Sequence, residues 1–140
     1  LQQQMCLLLA RAKAGNMLMP QALTYVPLHW RKQHQRGFNQ AQLLAEALAE
    51  HLQLPVLTLF SKSAGTSQRG LNRRQRLRNL RRTFTLKAIP QALPQHIALI
   101  DDVITTGATA NALTRLLRRA GVHTISVWTL AVTPAPGYSD

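Results

Sequence analysis

The sequence predicts an α/β fold, with a mostly parallel β-sheet and helices on both of its faces. Apolar strand-like runs alternate with helical patterns along the chain, the arrangement that joins parallel strands through crossover helices. The last such unit, from Gln95 to Val132, shows strand, loop, helix and strand in order. Hydrophobic residues make up 46% of 140, enough for a single domain that buries roughly two-thirds of its unfolded surface.

Leu1, Met5, Leu8 and Leu9 recur at helical spacing, and Gly15 ends that helix. A chain that starts inside such a pattern is expected to be an N-terminally truncated piece of a longer protein. Leu23 to Leu28 is a short strand closed by Pro27, followed by a basic turn through Arg31, Lys32 and Arg36. Asn39 is the expected N-cap of a helix whose apolar stripe is Ala41, Leu44, Leu48 and Leu52, with Ala45 beside it. Pro55 to Phe60 reads as a second strand. Residues 61–84 form a basic flexible loop, opened by Gly65 and Gly70 and partly helical in its second half. Gln95 to Ile100 is a continuous apolar strand ending on two aspartates. Gly107 to Ala120 is a helix with Ala112, Leu113, Leu116 and Leu117 inward, Arg118 and Arg119 in its last turn, and Gly121 as its stop. Thr124 to Val132 is the final strand, and residues 134–140 are a frayed tail.

Lys and Arg number 17 against 5 Asp and Glu, giving a net charge of +12. No acid precedes Glu46, and none lies between Glu50 and Asp101. The run from Arg69 to Arg82 holds seven arginines: Arg69, Arg73, Arg74, Arg76, Arg78, Arg81 and Arg82. Such a run attracts polyanions, whether nucleic acid, an acidic membrane face or a phosphorylated small molecule, or it is simply a solvated face. Only Phe84 lies near it, so it lacks the interleaved aromatics that stack on bases. The single cysteine, Cys6, excludes an internal disulfide and a cysteine-rich zinc site within this chain. With no secretory pattern and no apolar run long enough to span a bilayer, the expected setting is cytoplasmic, without a membrane partner. His51, His96 and His123 lack metal-ligand spacing, and Trp30 and Trp128 read as packing residues.

The chemistry concentrates in one string, Ile97-Ala98-Leu99-Ile100-Asp101-Asp102-Val103-Ile104-Thr105-Thr106-Gly107-Ala108-Thr109. Ligands of open α/β sheets bind beyond the carboxyl ends of the strands, where Asp101 and Asp102 fall. Their carboxylates suit vicinal hydroxyls, or a divalent metal through water. Thr105, Thr106 and Thr109 add hydroxyls, Gly107 permits a sharp turn, and the following helix offers free N–H groups, which together form a phosphate cradle. A Thr-Gly pair alone reads better as a helix cap than as a phosphate site. The whole string, with carboxylates on one side and a phosphate nest on the other, describes a site for a ribose 5-phosphate.

This string resembles the phosphoribosyl pyrophosphate (PRPP) motif of type I phosphoribosyltransferases. Val26-Pro27-Leu28-His29, Arg31 and Arg36-Gly37-Phe38-Asn39-Gln40 resemble the ComF/GntX branch, the competence-protein-like phosphoribosyltransferases. Gln68, Leu71, Arg76, Asn79 and Phe84 match a loop of that branch. The resemblance implies that Asp101 and Asp102 bind the ribose hydroxyls and Val103, Ile104, Thr105, Thr106, Gly107, Ala108 and Thr109 complete the PRPP site. It places Arg31, Arg36 and Gly37 against the pyrophosphate, and Gln68, Arg69 and Arg76 on a lid over it. Arg76 would join the two aspartates as a catalytic residue, and Mg²⁺, held mainly through PRPP, would be the cofactor. Two departures stand out. The cysteine-rich zinc segment that begins family members lies outside this sequence, and Thr105 stands where 6-oxopurine enzymes place an aspartate, so the acceptor is left open. Three functions follow as expectations: transfer of a phosphoribosyl group, linked to DNA uptake or nucleotide salvage; nucleic-acid binding through the Arg69–Arg82 run; and PRPP sensing without transfer. A sheet edge exposed by truncation would favour a homo-oligomer.

Overall fold

The computed structural model describes residues 18–28, 37–63, 83–88 and 91–133, with single positions among the first fifteen residues and between 70 and 79. Its centre is a parallel sheet of three strands: β1 (Ala22–Tyr25), β4 (His96–Ile104) and β5 (Thr124–Val132), with β4 in the middle. The final strand has the bounds predicted from its sequence. β2 (Phe60–Lys62) and β3 (Phe84–Leu86) form a separate antiparallel pair. Two helices complete the frame, α1 (Gln40–Leu52) and α2 (Ala108–Arg119).

β4 is buried on both faces, as a central parallel strand must be, and its side chains alternate between two cores. Ala98 and Ile100 join Leu23, Tyr25 and Trp128 against Leu44, Ala45 and Leu48 of α1. Ile97 and Leu99 point the other way, into Leu113 and Leu117 of α2 with Phe60 and Phe84 of the antiparallel pair. The helices thus cover opposite faces of the sheet, as predicted. The α1 stripe is buried at Ala41, Leu44, Ala45, Leu48 and Ala49, while Leu52 is only partly covered.

Two expected elements differ. The run from Pro55 to Phe60 is not a regular strand but a single parallel bridge between Val56 and Leu23. The Leu23 N–H donates to Pro55 O at 2.9 Å and the Leu57 N–H to Leu23 O at 2.8 Å. Pro55 has no donor to continue a ladder, and the chain then leaves the sheet to enter β2. The loop 61–84 is likewise shorter than expected, because Ser61 and Lys62 pair with Thr85 and Phe84. Within it, the Asn72 and Gln75 side chains each accept the other's backbone N–H, at 2.9 and 3.0 Å. This capping box starts helical turns at Arg74, Gln75, Arg78 and Asn79, in line with the predicted helical half. Leu7, Ala10, Arg11 and Ala14 are helical, and the Gly15 N–H closes on Arg11 O at 3.1 Å. The tail 134–140, Cys6, His29, Trp30 and His34 lie outside the described residues.

Asn39 ties β1 to α1. Its Oδ1 accepts from the N–H groups of Ala41 and Gln42 at 3.1 and 3.4 Å, and its Nδ2 donates to Val26 O at 3.1 Å. The side chain is buried, so its removal would strand polar groups at both ends. Asn39→Ala is expected to cost about 2 kcal/mol in urea denaturation, and Asn39→Ser, which keeps the cap and loses the link to Val26, about half of that.

Candidate functional site

The site is built where β4 outruns its neighbour. β1 and β4 stay in register only as far as Tyr25 and Ile100, and the Val26 N–H makes the last bond, to Ile100 O at 3.0 Å. Pro27 follows, with no N–H to offer and a constraint on the residue before it. On its other side β4 remains paired with β5 through Ile104 and Val132. The strand therefore does not end on its two aspartates, as expected from the sequence; it runs four residues past the end of β1's ladder, to Ile104, and the aspartates are the first two of them. Partnership with β5 holds them in extended backbone, where a local reading of acids predicts a stop.

In a strand, neighbouring side chains take opposite faces. Asp101 follows Ile97 and Leu99 toward α2, and Asp102 follows Ala98 and Ile100 toward α1. Two hollows result. One is lined by Asp101 together with Val103, Ile104, Thr105, Thr106, Gly107, Ala108 and Thr109. The other lies between β1 and α1 and is lined by Val26, Pro27, Leu28, Phe38, Asn39 and both aspartates. The predicted PRPP residues thus gather in the first hollow, except Asp102, which faces the second. Gly37, in a left-handed conformation at φ 73°, is exposed just before Phe38. Arg31, Arg36, Gln68, Arg69 and Arg76 lie outside the described residues.

The loop after β4 turns sharply into α2. Gly107 takes φ 74°, which an L side chain adopts only with strain. No side chain caps α2 from this position, and its first turn holds no acid. The Ala108 N–H reaches Thr106 Oγ1 at 3.3 Å, and the first helical bond runs from Asn111 N–H to Gly107 O at 2.9 Å. The intervening amides open on the hollow, as the first N–H groups of any helix do. α1, by contrast, has its leading amides taken by Asn39.

The carboxylates differ in setting. Asp101 is buried, and its Oδ1 accepts the Asp102 N–H at 2.9 Å; Asp102 is half-buried, and its Oδ1 accepts the Val103 N–H at 2.9 Å. Burial, and after it the neighbouring Asp102, push the Asp101 carboxyl up to about 7. The two carboxylates are suited to acting as hydroxyl acceptors or as partners of a metal-bound phosphate. Among the described residues no cluster of three or more His, Cys, Asp or Glu side chains could hold a metal. A pair of carboxylates fits a hard cation that arrives with substrate phosphates, as Mg²⁺ does.

The hollow beside α1 went unassigned at Phe38 and Asn39, although both stand in the quoted sequence. Their signal was indirect: a strand stopped by proline and a capped helix start must meet at the same end of a parallel sheet. The smaller readings fare as follows. Trp128 packs in the α1 core, and His96 is buried with its Nε2 2.9 Å from Ser126 Oγ, a structural role. No helix among the described residues is long and apolar enough to cross a membrane.

Solved structures share this architecture. A purine phosphoribosyltransferase from Pyrococcus horikoshii matches 99% of the chain and 76% of its own at a TM-score of 0.60 and 14% identity. A hypoxanthine phosphoribosyltransferase from Staphylococcus aureus matches 99% of the chain and 67% of its own at 0.57 and 15%. The fold is that of the type I phosphoribosyltransferases. Sequence relatives narrow the class. Competence protein F of Haemophilus influenzae is 40% identical over 85% of this chain and 53% of its own length. DNA utilization protein YhgH of Salmonella typhimurium is 38% identical over 90% of the chain and 55% of its own. Competence protein ComFC of Streptococcus pneumoniae is 33% identical over 75% of the chain and 45% of its own. The chain belongs to this competence protein F and YhgH family, and it spans about half the length of these relatives. No protein-family model matches it.

The raised Asp101 pKa makes a stability prediction. A carboxyl that holds its proton to about pH 7 when folded, but only to about 3.8 when unfolded, binds more protons in the native state between those values. Stability from this group is therefore present below pH 3.8 and is lost as pH rises through 7. Asp101→Asn keeps the Oδ1 acceptor and removes the charge. The variant should be more stable than the parent by on the order of 1 kcal/mol at pH 8, with the gap narrower at pH 5 and closed only below about pH 3.8, in urea denaturation across that range.

Proposed function

We propose that this chain forms the PRPP-binding unit of a Mg²⁺-dependent phosphoribosyltransferase with a role in handling DNA or its nucleotides. The observation that carries this reading is the pairing of an α2 start that Gly107 leaves without a side-chain cap of its own with the two carboxylates that β4 carries just past the end of β1's ladder. The 5-phosphate would lie on the amides and hydroxyls of Thr105 to Thr109, and the ribose hydroxyls would donate to Asp101 and Asp102. The pyrophosphate would then extend toward the second hollow, by Gly37 and the start of α1.

In the reaction the bond from C1 of the ribose to the pyrophosphate oxygen breaks, and the electron pair leaves with pyrophosphate. A lone pair on the acceptor forms the new bond to C1, and the acceptor gives up its proton. Positive charge grows on the ribose ring as the old bond lengthens, and the nearby carboxylates stabilise it while holding the hydroxyls in place. Mg²⁺ arriving with PRPP would neutralise charge on the leaving pyrophosphate, with Asp101 and Asp102 within its reach. Arg31, Arg36, Gln68, Arg69 and Arg76 are proposed to complete the pyrophosphate side and the lid, which would exclude water from a reactive sugar. The names of the relatives, which concern competence and DNA utilization, support the setting.

Calorimetric titration of PRPP with Mg²⁺ is the test. Saturable binding is expected, weakened about a hundredfold in Asp101→Asn/Asp102→Asn through loss of two charged acceptors. Equal binding by parent and variant would remove the carboxylates from the site. Release of pyrophosphate with added nitrogenous acceptors separates transfer from sensing.

A further inference from the structure

Successive residues of a strand present their N–H and C=O groups to opposite neighbours. In β4 the even-numbered residues face β1: the Gln21 N–H donates to His96 O at 2.9 Å and the Val26 N–H to Ile100 O at 3.0 Å. By that alternation Asp102 and Ile104 would point their carbonyls into the space beyond the end of β1. Both point to β5 instead. Thr129 Oγ1 lies 3.2 Å from Asp102 O, and the Thr133 N–H donates to Ile104 O at 2.9 Å. The pairing of the two strands passes from Asp101 with Thr129 to Val103 with Ala131, without a pair at Asp102 and Leu130. The peptide between Asp102 and Val103 is therefore turned over relative to the preceding strand, and the alternation runs reversed beyond it.

A turned peptide sends its polar groups to the wrong sides, and here each has a partner. Its N–H, which the regular ladder would direct at Leu130 O, donates to Asp102 Oδ1 at 2.9 Å. Its carbonyl meets the Thr129 hydroxyl, which also lies 3.0 Å from Ala131 O. One proton thus sits where a carbonyl from each strand converges. Strand preference accounts for a β-branched residue at this position, and the contact with Ala131 O is a local tie. Neither accounts for a hydroxyl that reaches across to a carbonyl out of phase with its strand.

We propose that Thr129 is a positioning residue for the Asp102 carboxylate: its hydroxyl keeps the Asp102–Val103 peptide turned, and the turned N–H aims the carboxylate at the ribose hydroxyls of a phosphoribosyl ligand. Thr129 acts on the ligand only through Asp102, a role that rests on the phosphoribosyl reading of the site. An N–H on Oδ1 stabilises the carboxylate charge and fixes its rotamer, which leaves the second oxygen to accept from a hydroxyl. Without the Thr129 proton, Asp102 O and Ala131 O approach one another with no donor between them. Turning the peptide back into the ladder relieves this, and the Val103 N–H then leaves the carboxylate. Asp102 would keep its charge and lose its aim.

The test compares Thr129→Val, which keeps the branched side chain and removes the proton, with Thr129→Ser, which keeps the proton. Crystal structures of the parent and both variants read the peptide directly. Asp102 O should face β5 in the parent and in Thr129→Ser, and should turn away in Thr129→Val. A peptide still turned in Thr129→Val would overturn the proposal. In calorimetric titration of PRPP with Mg²⁺, Thr129→Val should bind about tenfold more weakly than the parent, and Thr129→Ser within about twofold of it. Inorganic phosphate needs no carboxylate and should bind the parent and Thr129→Val alike. An equal loss for both ligands would mark a purely structural role and overturn the proposal, as would equal PRPP binding by all three proteins. Failure of the parent itself to bind PRPP would overturn the phosphoribosyl reading, and the role of Thr129 toward a ligand with it; the crystal structures would still decide whether Thr129 holds the peptide.

Discussion

Everything in the site depends on the unequal lengths of the strands flanking β4. From Ile97 to Ile100 the strand is fully buried, its side chains packed alternately on α1 and α2. No charge is affordable there. β1 stops at the level of Ile100 while β5 continues to the level of Ile104, so the next residues keep strand geometry with one neighbour gone. Asp101 and Asp102 occupy this half-supported stretch, and Asp102 is the first residue of β4 that is not buried. Cover on one side raises the pKa of Asp101; loss of cover on the other admits a ligand. The same geometry that makes the carboxylates costly makes them accessible.

Much of this frame was legible in the sequence, for identifiable reasons. α2 and β5 follow one another with clean periodicities and a glycine stop, and Asn39 sits at the head of a regular apolar stripe. Local chemistry decides such features. What the sequence concealed was decided by partners far along the chain. The continuation of β4 through two acids depends on pairing with Ala131 and Val132. The antiparallel pairing of Ser61 with Thr85 bridges an arginine-rich segment without any hairpin turn signal. The string from Asp101 to Thr109 could be read as one candidate site, because its residues are contiguous and all but Asp102 line one hollow. The hollow beside α1 could not, because Val26 and Phe38 reach it from separate elements.

The charge distribution follows the layers as well. α1 presents Glu46 and Glu50 on its outer side, and the Gln42 side chain donates to Glu46 Oε1 at 2.9 Å. α2 presents arginines and no acid. The sheet and its two cores separate these surfaces, so the arginines of α2 are not neutralised by the acids of α1. A net charge of +12 thus understates the basicity of one face.

The two helices show why the start of α2 is informative. Each begins just beyond a strand on the same side of the sheet's carboxyl edge, and each needs partners for its leading amides. α1 finds them in Asn39, whose side chain also fastens the helix to β1. At the equivalent place α2 has Gly107, which supplies no side chain and bends the backbone through φ 74°. A serine or aspartate cap would add about 1 kcal/mol of stability at an ordinary helix start. Here the left-handed backbone would resist it, and its side chain would take the amides that face Asp101 across the hollow. The glycine therefore forgoes stability at a helix start whose N–H groups stand opposite a carboxylate, and local rules are broken in this way chiefly where a ligand completes the structure.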